Sequence, residues 1–424
     1  MTSRPGGLSL QPFRALRPAV DGDRLGRLLC PPYDVIDQAA RAALLAGDPE
    51  NAVGLILPQA PDGADPYADA AQRLEAGVAE GLYAVDDAPA LYVYEMAEAG
   101  GTTTRGLLGA VELRDPADGV ILPHENTMAG PVADRLALMQ ATQANLEPIY
   151  LVYDGGGAAS QAVSDVSGRE PIAQARTPDG ITHRLWALTD PELHARVAED
   201  LAGRRALIAD GHHRYATYRQ LQELCREQHG PGPWDRGLTL LVDSSSYGPQ
   251  VHAIHRVLTG VALADVLERA GAVASVAPVD DPAEGLARAA DLDGFAAVLT
   301  DGSRSLLLAD TDGSLAAASV VAGGVPALAE LDVTVLHRGL VGSVLGLTDS
   351  EEQVGYAHSE SEAIEAARAS AGTAVLLRPT PVAAVAAVAA EGGRMPRKST
   401  LFTPKPASGL VMRRFVDEAP AAGT

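Results

Sequence analysis

Three short segments of the chain hold residue types suited to phosphate and hydroxyl chemistry. The first is Leu207-Ile-Ala-Asp-Gly-His-His-Arg-Tyr-Ala-Thr217, where an apolar run stops at Asp210-Gly211 and a helical pattern opens. Glycine lets the backbone turn sharply and lets a ligand come close. The first turn of a helix leaves N–H groups without intrahelical partners and carries partial positive charge. With Arg214 as a planar, permanently charged fork, Gly211, His212 and His213 form a candidate phosphate cradle. Adjacent histidines on a helix diverge by about 100°, which suits them poorly to gripping one metal ion together. The spacing suggests instead that His212 offers its backbone N–H while one imidazole faces the ligand. The plain alternative is a helix start capped by Asp210, with His213 packed in the core.

The second segment is Gly119-Val-Ile-Leu-Pro-His-Glu-Asn-Thr127. Pro123 fixes the backbone before His124 and Glu125, and a carboxylate beside an imidazole at a strand end suits general-base work. Residue 128 is Met, so this is not the zinc HExxH pattern, and a solvated loop carboxylate is the competing reading. The third segment, Arg394 to Lys405, carries 4 cations and 3 hydroxyl side chains within 12 residues of an otherwise acidic chain. It reads as an anion-facing lid or as an ordinary basic loop. His255-Arg256, after a strand-like run, is a candidate for the same pocket. Tyr33-Asp34, after a double proline, is a candidate for ligand contact or for a simple turn. There is no GxxxxGK[ST] P-loop and no G-x-S-x-G elbow.

Short strands and helices alternate along the chain, which predicts a mixed α/β (α+β) class. Expected helices include Ala39–Leu45, Tyr67–Glu80, Asp134–Thr142, Leu263–Ala270, Val333–Val344 and Ser361–Ala369. Expected strands include Val53–Leu57, Ala90–Met96 paired with Arg105–Leu113, Ile149–Tyr153, Leu207–Ala209, Leu238–Val242, Val251–Val257, Ala296–Thr300 and Thr373–Arg378. The 424 residues leave room for two or three domains, and 46% are hydrophobic but only 4% aromatic, so Ala, Val and Leu must build the interior. A net charge of −22 argues against nucleic acid as a partner and favours a soluble cytoplasmic protein. Cys30 and Cys225 make neither a disulfide framework nor a zinc site of cysteine type. No signal peptide and no membrane span are expected.

Taken together, the segments resemble the bacterial family known as domain of unknown function 1015. The matching pieces are Pro12-Phe-Arg-Ala-Leu16, Pro31-Pro-Tyr-Asp-Val-Ile36, Gly119-Val-Ile…His-Glu125, Ala209-Asp-Gly-His-His-Arg214, Leu331-Asp-Val-Thr-Val-Leu-His337 and Met395-Pro…Lys-Ser-Thr400. More distantly, the order of His-Glu, Asp-Gly-His-His-Arg and Lys-Ser-Thr is similar to that of the free-serine kinases of the ParB/sulfiredoxin-like fold. That resemblance implies phosphate binding by Asp210, Gly211, His212, His213 and Arg214. It implies Glu125 as base with His124 beside it, and an acceptor site lined by Lys398, Ser399 and Thr400, with His255 and Arg256 as further candidates. It implies ATP or ADP as phosphoryl donor, a small hydroxyl-bearing metabolite as acceptor, and Mg²⁺ held by Asp210. Where those kinases follow the hydroxyl pair with Arg and His, this chain has Leu401 and Phe402, an apolar pair that cannot hold an amino-acid carboxylate.

The organisation expected on this basis is an N-terminal α/β extension over 1–104 and a ParB/sulfiredoxin-like core over 105–258. A C-terminal α/β domain over 259–412 and a disordered tail over 413–424 complete it. The expected activity is a nucleotide-dependent phosphotransferase. A nucleotide-binding regulatory protein, or a nucleotide or phosphoester hydrolase with Glu125 activating water, are the alternatives.

Overall fold

The computed structural model describes residues 6–60, 63–320, 324–348, 350 and 352–418. The chain divides into two compact units. One comprises residues up to 123, 127–249 and from 404 onward; the other comprises 124–126 and 250–403. Both are mixed α/β.

The first unit is built on a nine-stranded mixed sheet. Its order is Ile121–Leu122, Ala206–Asp210, Ile149–Tyr153, Arg236–Asp243, Thr103–Glu112, Leu91–Ala97, Thr182–Leu188 and Ala173–Arg176, with Leu10–Gln11 also on Thr103–Glu112. Ala206–Asp210 runs parallel to Ile121–Leu122, and Arg236–Asp243 parallel to Ile149–Tyr153. Every residue of Ile149–Tyr153 is buried, as befits a central strand covered on both faces. Helices Ala129–Thr142 and His212–His229 pack against each other, and Tyr215, Tyr218 and Leu221 join the main apolar core. Glu95 stands opposite both Arg105 and Arg184 on its neighbouring strands and pairs with each, a cross-strand ion triplet.

The second unit carries an antiparallel six-stranded sheet ordered Ser275–Val279, Ser305–Ala309, Ala296–Thr300, Thr373–Leu377, His255–Leu258, Val354–Ala357. A separate pair joins Gln250–His252 to Leu401–Thr403. Among the described residues no helix is long and apolar enough to cross a membrane.

Several expectations need correction. Val53–Ile56 is a buried helical turn, not a strand. Asn51 decides this: its amide donates to the carbonyls of Arg27 and Leu29, and its carbonyl oxygen accepts from the Val53 N–H. That local capping overrides the β preference of Val and Ile. The run Val251–Val257 is two strands, which pair with different partners. The Val333–Val344 helix begins as Asp332–Thr334 and continues as a π-helix over Val335–Val344.

The expected boundaries also move. Strands Leu91–Ala97 and Thr103–Glu112 form one hairpin, so residue 104 divides nothing. His255–Leu258 belongs to the second sheet, although 258 was the expected end of the preceding domain. The segment from 404 returns to the first unit, with Ser408 bonded to Cys30 and Met412 to Leu16. Residues 413–418 are ordered: Arg413 is fully buried and bonds to Asn145, Arg236 and Pro233. The rest of the expected tail, 419–424, lies outside the described residues.

Within the first sheet His183 is buried between the Tyr94 hydroxyl (2.8 Å) and Thr177 (3.0 Å), and burial holds its pKa down at about 4 against an ordinary 6.5. Below the ordinary value the unfolded chain binds a proton here that the folded chain refuses. Stability is therefore full above about pH 6.5 and falls as the pH drops toward the depressed value. We expect unfolding experiments between about pH 7 and about pH 4.5 to show this loss, His183 contributing at most about 1.4 kcal/mol per pH unit. The His183→Gln variant should lose that share of the slope; an unchanged slope would mean that His183 titrates normally.

Candidate active site

In the first unit, strand Ala206–Asp210 carries a register shift against Ile149–Tyr153 between Ile208 and Asp210. Such a bulge bends the strand and re-aims the side chain that follows. Gly211 comes next at φ +90°, and helix His212–His229 starts on it as an 18-residue run. As N-cap, Gly211 has no side chain with which to satisfy the first-turn N–H groups. Asp210 does not cap the helix. Its Oδ2 accepts from Arg214 Nη2, and its Oδ1 accepts from Lys405 Nζ at 2.5 Å.

Arg214 is only 2% exposed. Its Nη1 donates to the Pro148 carbonyl at 2.5 Å, and the Glu147 carboxylate lies 4.0 Å away. Its Nε is buried without a hydrogen-bond partner, close to Gly211: a Cβ there would lie 3.2 Å from it. Arg214 thus braces the turn from behind, where an outward-reaching phosphate fork was expected. Glu147 anchors the arrangement further by accepting from the Tyr33 N–H (3.1 Å) and the Ser408 hydroxyl (3.0 Å). Arg135 stands 3.8 Å from Glu147 and stacks 4.4 Å over the Tyr33 ring.

His212 is buried, and His213 is half-buried with its Nε2 accepting from the Met128 N–H at 3.0 Å. Burial pushes the His213 pKa down, opposed only partly by Asp34. Lys405 reaches Asp34 at 3.6 Å as well as Asp210. Burial pulls the Lys405 pKa down, but the two carboxylates outweigh it and hold it above its usual value. It is a charged cation at the turn.

The expected Mg²⁺ role of Asp210 does not fit this donor set, since each of its oxygens already faces a cation. Among the described residues no group of three or more His, Cys, Asp or Glu could hold a metal ion.

In the second unit, His124 is fully buried. Its Nε2 meets the Thr400 hydroxyl at 3.1 Å and lies 4.0 Å from a Glu125 oxygen. Phe402 flanks the imidazole at a ring separation of 6.0 Å, and the His124 carbonyl accepts from the Met395 N–H. Glu125, with its side chain 35% exposed, is the accessible carboxylate here. Lys398 adopts φ +51°, a left-handed backbone that is strained for a side-chain-bearing residue. Arg256 stabilises that turn by donating from Nη2 to the carbonyl of Lys398 at 3.0 Å. The Arg256 guanidinium and the Lys398 ammonium both lie over the Tyr356 ring, at 4.6 and 5.2 Å.

Three of the expected substrate contacts are therefore engaged internally. Arg256 is fully buried and also donates to His337 Nε2 at 2.8 Å. His255 is buried, accepts from the Leu377 N–H, and is held at a pKa of about 4 by burial and by Arg256. The Ser399 hydroxyl donates to the Pro396 carbonyl at 2.5 Å. Position in sequence made these residues candidates; burial makes them supports. Sequence reasoning passed over Glu147, Arg135 and the pairing of Lys405 with Asp210, which no local motif announces.

The fold and site define a mixed α/β protein with a helix that starts on a left-handed glycine and a histidine–carboxylate pair. The chain belongs to DUF1015, described as a protein of unknown function, whose family model matches residues 10–334. The Lys-Ser-Thr segment lies beyond that match. No curated protein matches the chain. Among solved structures, a free serine kinase in complex with AMP is similar at 18% identity over 72% of this chain and 92% of its own, with a TM-score of 0.35. SbnI with a C-terminal truncation, from Staphylococcus aureus, is similar at 11% identity over 74% and 89%, TM-score 0.36. A conserved hypothetical protein from Pyrococcus furiosus is similar at 17% over 72% and 95%, TM-score 0.34. At TM-scores of this size the three likenesses assign no activity to this chain.

Replacing Gly211 by Ala forces a side chain into a left-handed position against Arg214. We expect a loss of about 1 to 3 kcal/mol in denaturant unfolding, with the loss partly relieved when Arg214 is shortened in the same chain. Additive effects of the two substitutions would contradict the packing described.

Proposed function

We propose that this protein is a nucleotide-dependent phosphotransferase acting on a hydroxyl group of a small metabolite. The observation that carries the reading is the turn Asp210–Arg214. An uncapped 18-residue helix starts on a left-handed glycine, and two cations, Arg214 and Lys405, pair with Asp210 just before it. Helix dipole and backbone N–H groups favour a phosphate there. Phosphoryl transfer demands mainly positioning and charge neutralisation, which such a turn supplies.

Glu125 is the proposed base. It takes the proton of the acceptor hydroxyl as that oxygen bonds to the terminal phosphorus. The bond from phosphorus to the bridging oxygen breaks, and the shortened nucleotide leaves. His124, held by Thr400, orients Glu125, and Lys398 with Thr400 faces the acceptor. Leu401 and the buried Phe402 offer no counterion for a carboxylate, which favours an uncharged alcohol over serine. The reading takes the turn and the Glu125 group as parts of one reaction on the strength of the motif order. Because Asp210 is committed to its two cations, no step is assigned to a protein-held metal.

The test is incubation with labelled ATP or ADP, supplied as Mg²⁺ complexes, and a pool of hydroxyl metabolites. A labelled metabolite supports the proposal. Free phosphate alone would indicate a hydrolase, and binding without turnover a sensor. In Glu125→Gln, transfer should fall by about 10²-fold or more while nucleotide affinity stays unchanged. Full activity in that variant would remove Glu125 from the mechanism.

A further inference from the structure

The proline-stiffened segment that follows Cys30 comes up against the phosphate turn inside the first unit. Cys30 is bridged to Ser408, and the Tyr33 N–H is bonded to Glu147 while Arg135 covers the Tyr33 ring. These ties fix the short 3₁₀ turn Tyr33–Val35. The two residues after the tethered Tyr33 project outward. The Asp34 side chain is 40% exposed and stands 3.6 Å from Lys405, the cation that holds Asp210. Val35 is 52% exposed. Met128, whose N–H bonds to His213, is 53% exposed.

A carboxylate at the rim of a phosphate cradle is the wrong group for a bare phosphate, which it repels. It is the right group for a pair of neighbouring hydroxyls, each of which can donate to one oxygen. Lys405, 3.6 Å away, limits the movement of that carboxylate. Uncovered apolar side chains one residue, or one hydrogen bond, from the same cluster suit the flat face of a base. Resting on the reading that the Asp210–Arg214 turn binds nucleotide phosphate, we infer that the Tyr33–Val35 turn recognises the nucleoside. Asp34 accepts from the ribose hydroxyls, and Val35 and Met128 receive the base.

Equilibrium binding to the full chain tests this with three probes: ADP, its 2′,3′-dideoxy form, and pyrophosphate. Asp34→Ala should weaken ADP by about tenfold or more. It should leave dideoxy-ADP at the wild-type value, and leave pyrophosphate unchanged or tighter. Intact pyrophosphate binding also shows that the variant is folded. Equal losses for ADP and pyrophosphate would overturn the inference, because Asp34 would then act only through Lys405. An unaltered ADP affinity would overturn it too. A wild-type chain that binds pyrophosphate but not ADP sinks the nucleoside site and spares the phosphate turn. One that binds neither sinks both.

Discussion

The arrangement of the first unit turns on one carboxylate. Asp210 sits at the end of strand Ala206–Asp210, largely out of water, and a lone buried carboxylate there would be costly. Arg214 and Lys405 remove that cost from opposite oxygens. Arg214 is itself buried and needs Glu147 and the Pro148 carbonyl. Glu147 in turn gathers Tyr33, Arg135 and Ser408. The network ties together strand, helix, N-terminal turn and C-terminal segment, and Gly211 and His213 are its half-buried face.

The second unit solves a different problem with a similar device. Lys398 is held in a left-handed conformation because a buried guanidinium grips its carbonyl, and the same guanidinium is steadied by His337 and Tyr356. The π-helical stretch that carries His337 belongs to a class of distortion frequently found near functional residues. Here its histidine accepts from Arg256, which in turn holds the Lys398 carbonyl.

Much of this was legible in the sequence, where the signals are local. Ile149–Tyr153, Leu263–Ala270 and Ala296–Thr300 have the bounds that their apolar patterns and flanking turns mark out. The Gly211 turn was readable because a strand-like run, a glycine and a helical pattern are contiguous. What failed depends on distant residues. Val53–Ile56 is helical because Asn51 finds carbonyls at 27 and 29. Arg214 and Arg256 looked like ligand hooks because a charged residue is assumed exposed until its buried partners are known. Lys405 stood in a basic run, but its partner Asp210 is 195 residues away, beyond any motif.

The return of the chain to the first unit after residue 403 bears on how the protein is made. Lys405, Ser408, Met412 and Arg413 close the network around Asp210, Cys30, Leu16 and Asn145, and all four follow the 250–403 segment of the second unit in the chain. While the ribosome is still extending the polypeptide, Asp210 and Glu147 lack those partners. Asp210 therefore gains its second cation only from a segment 195 residues further along the chain. The first unit cannot finish its ion network until residues 250–403, which make up most of the second unit, have been synthesised.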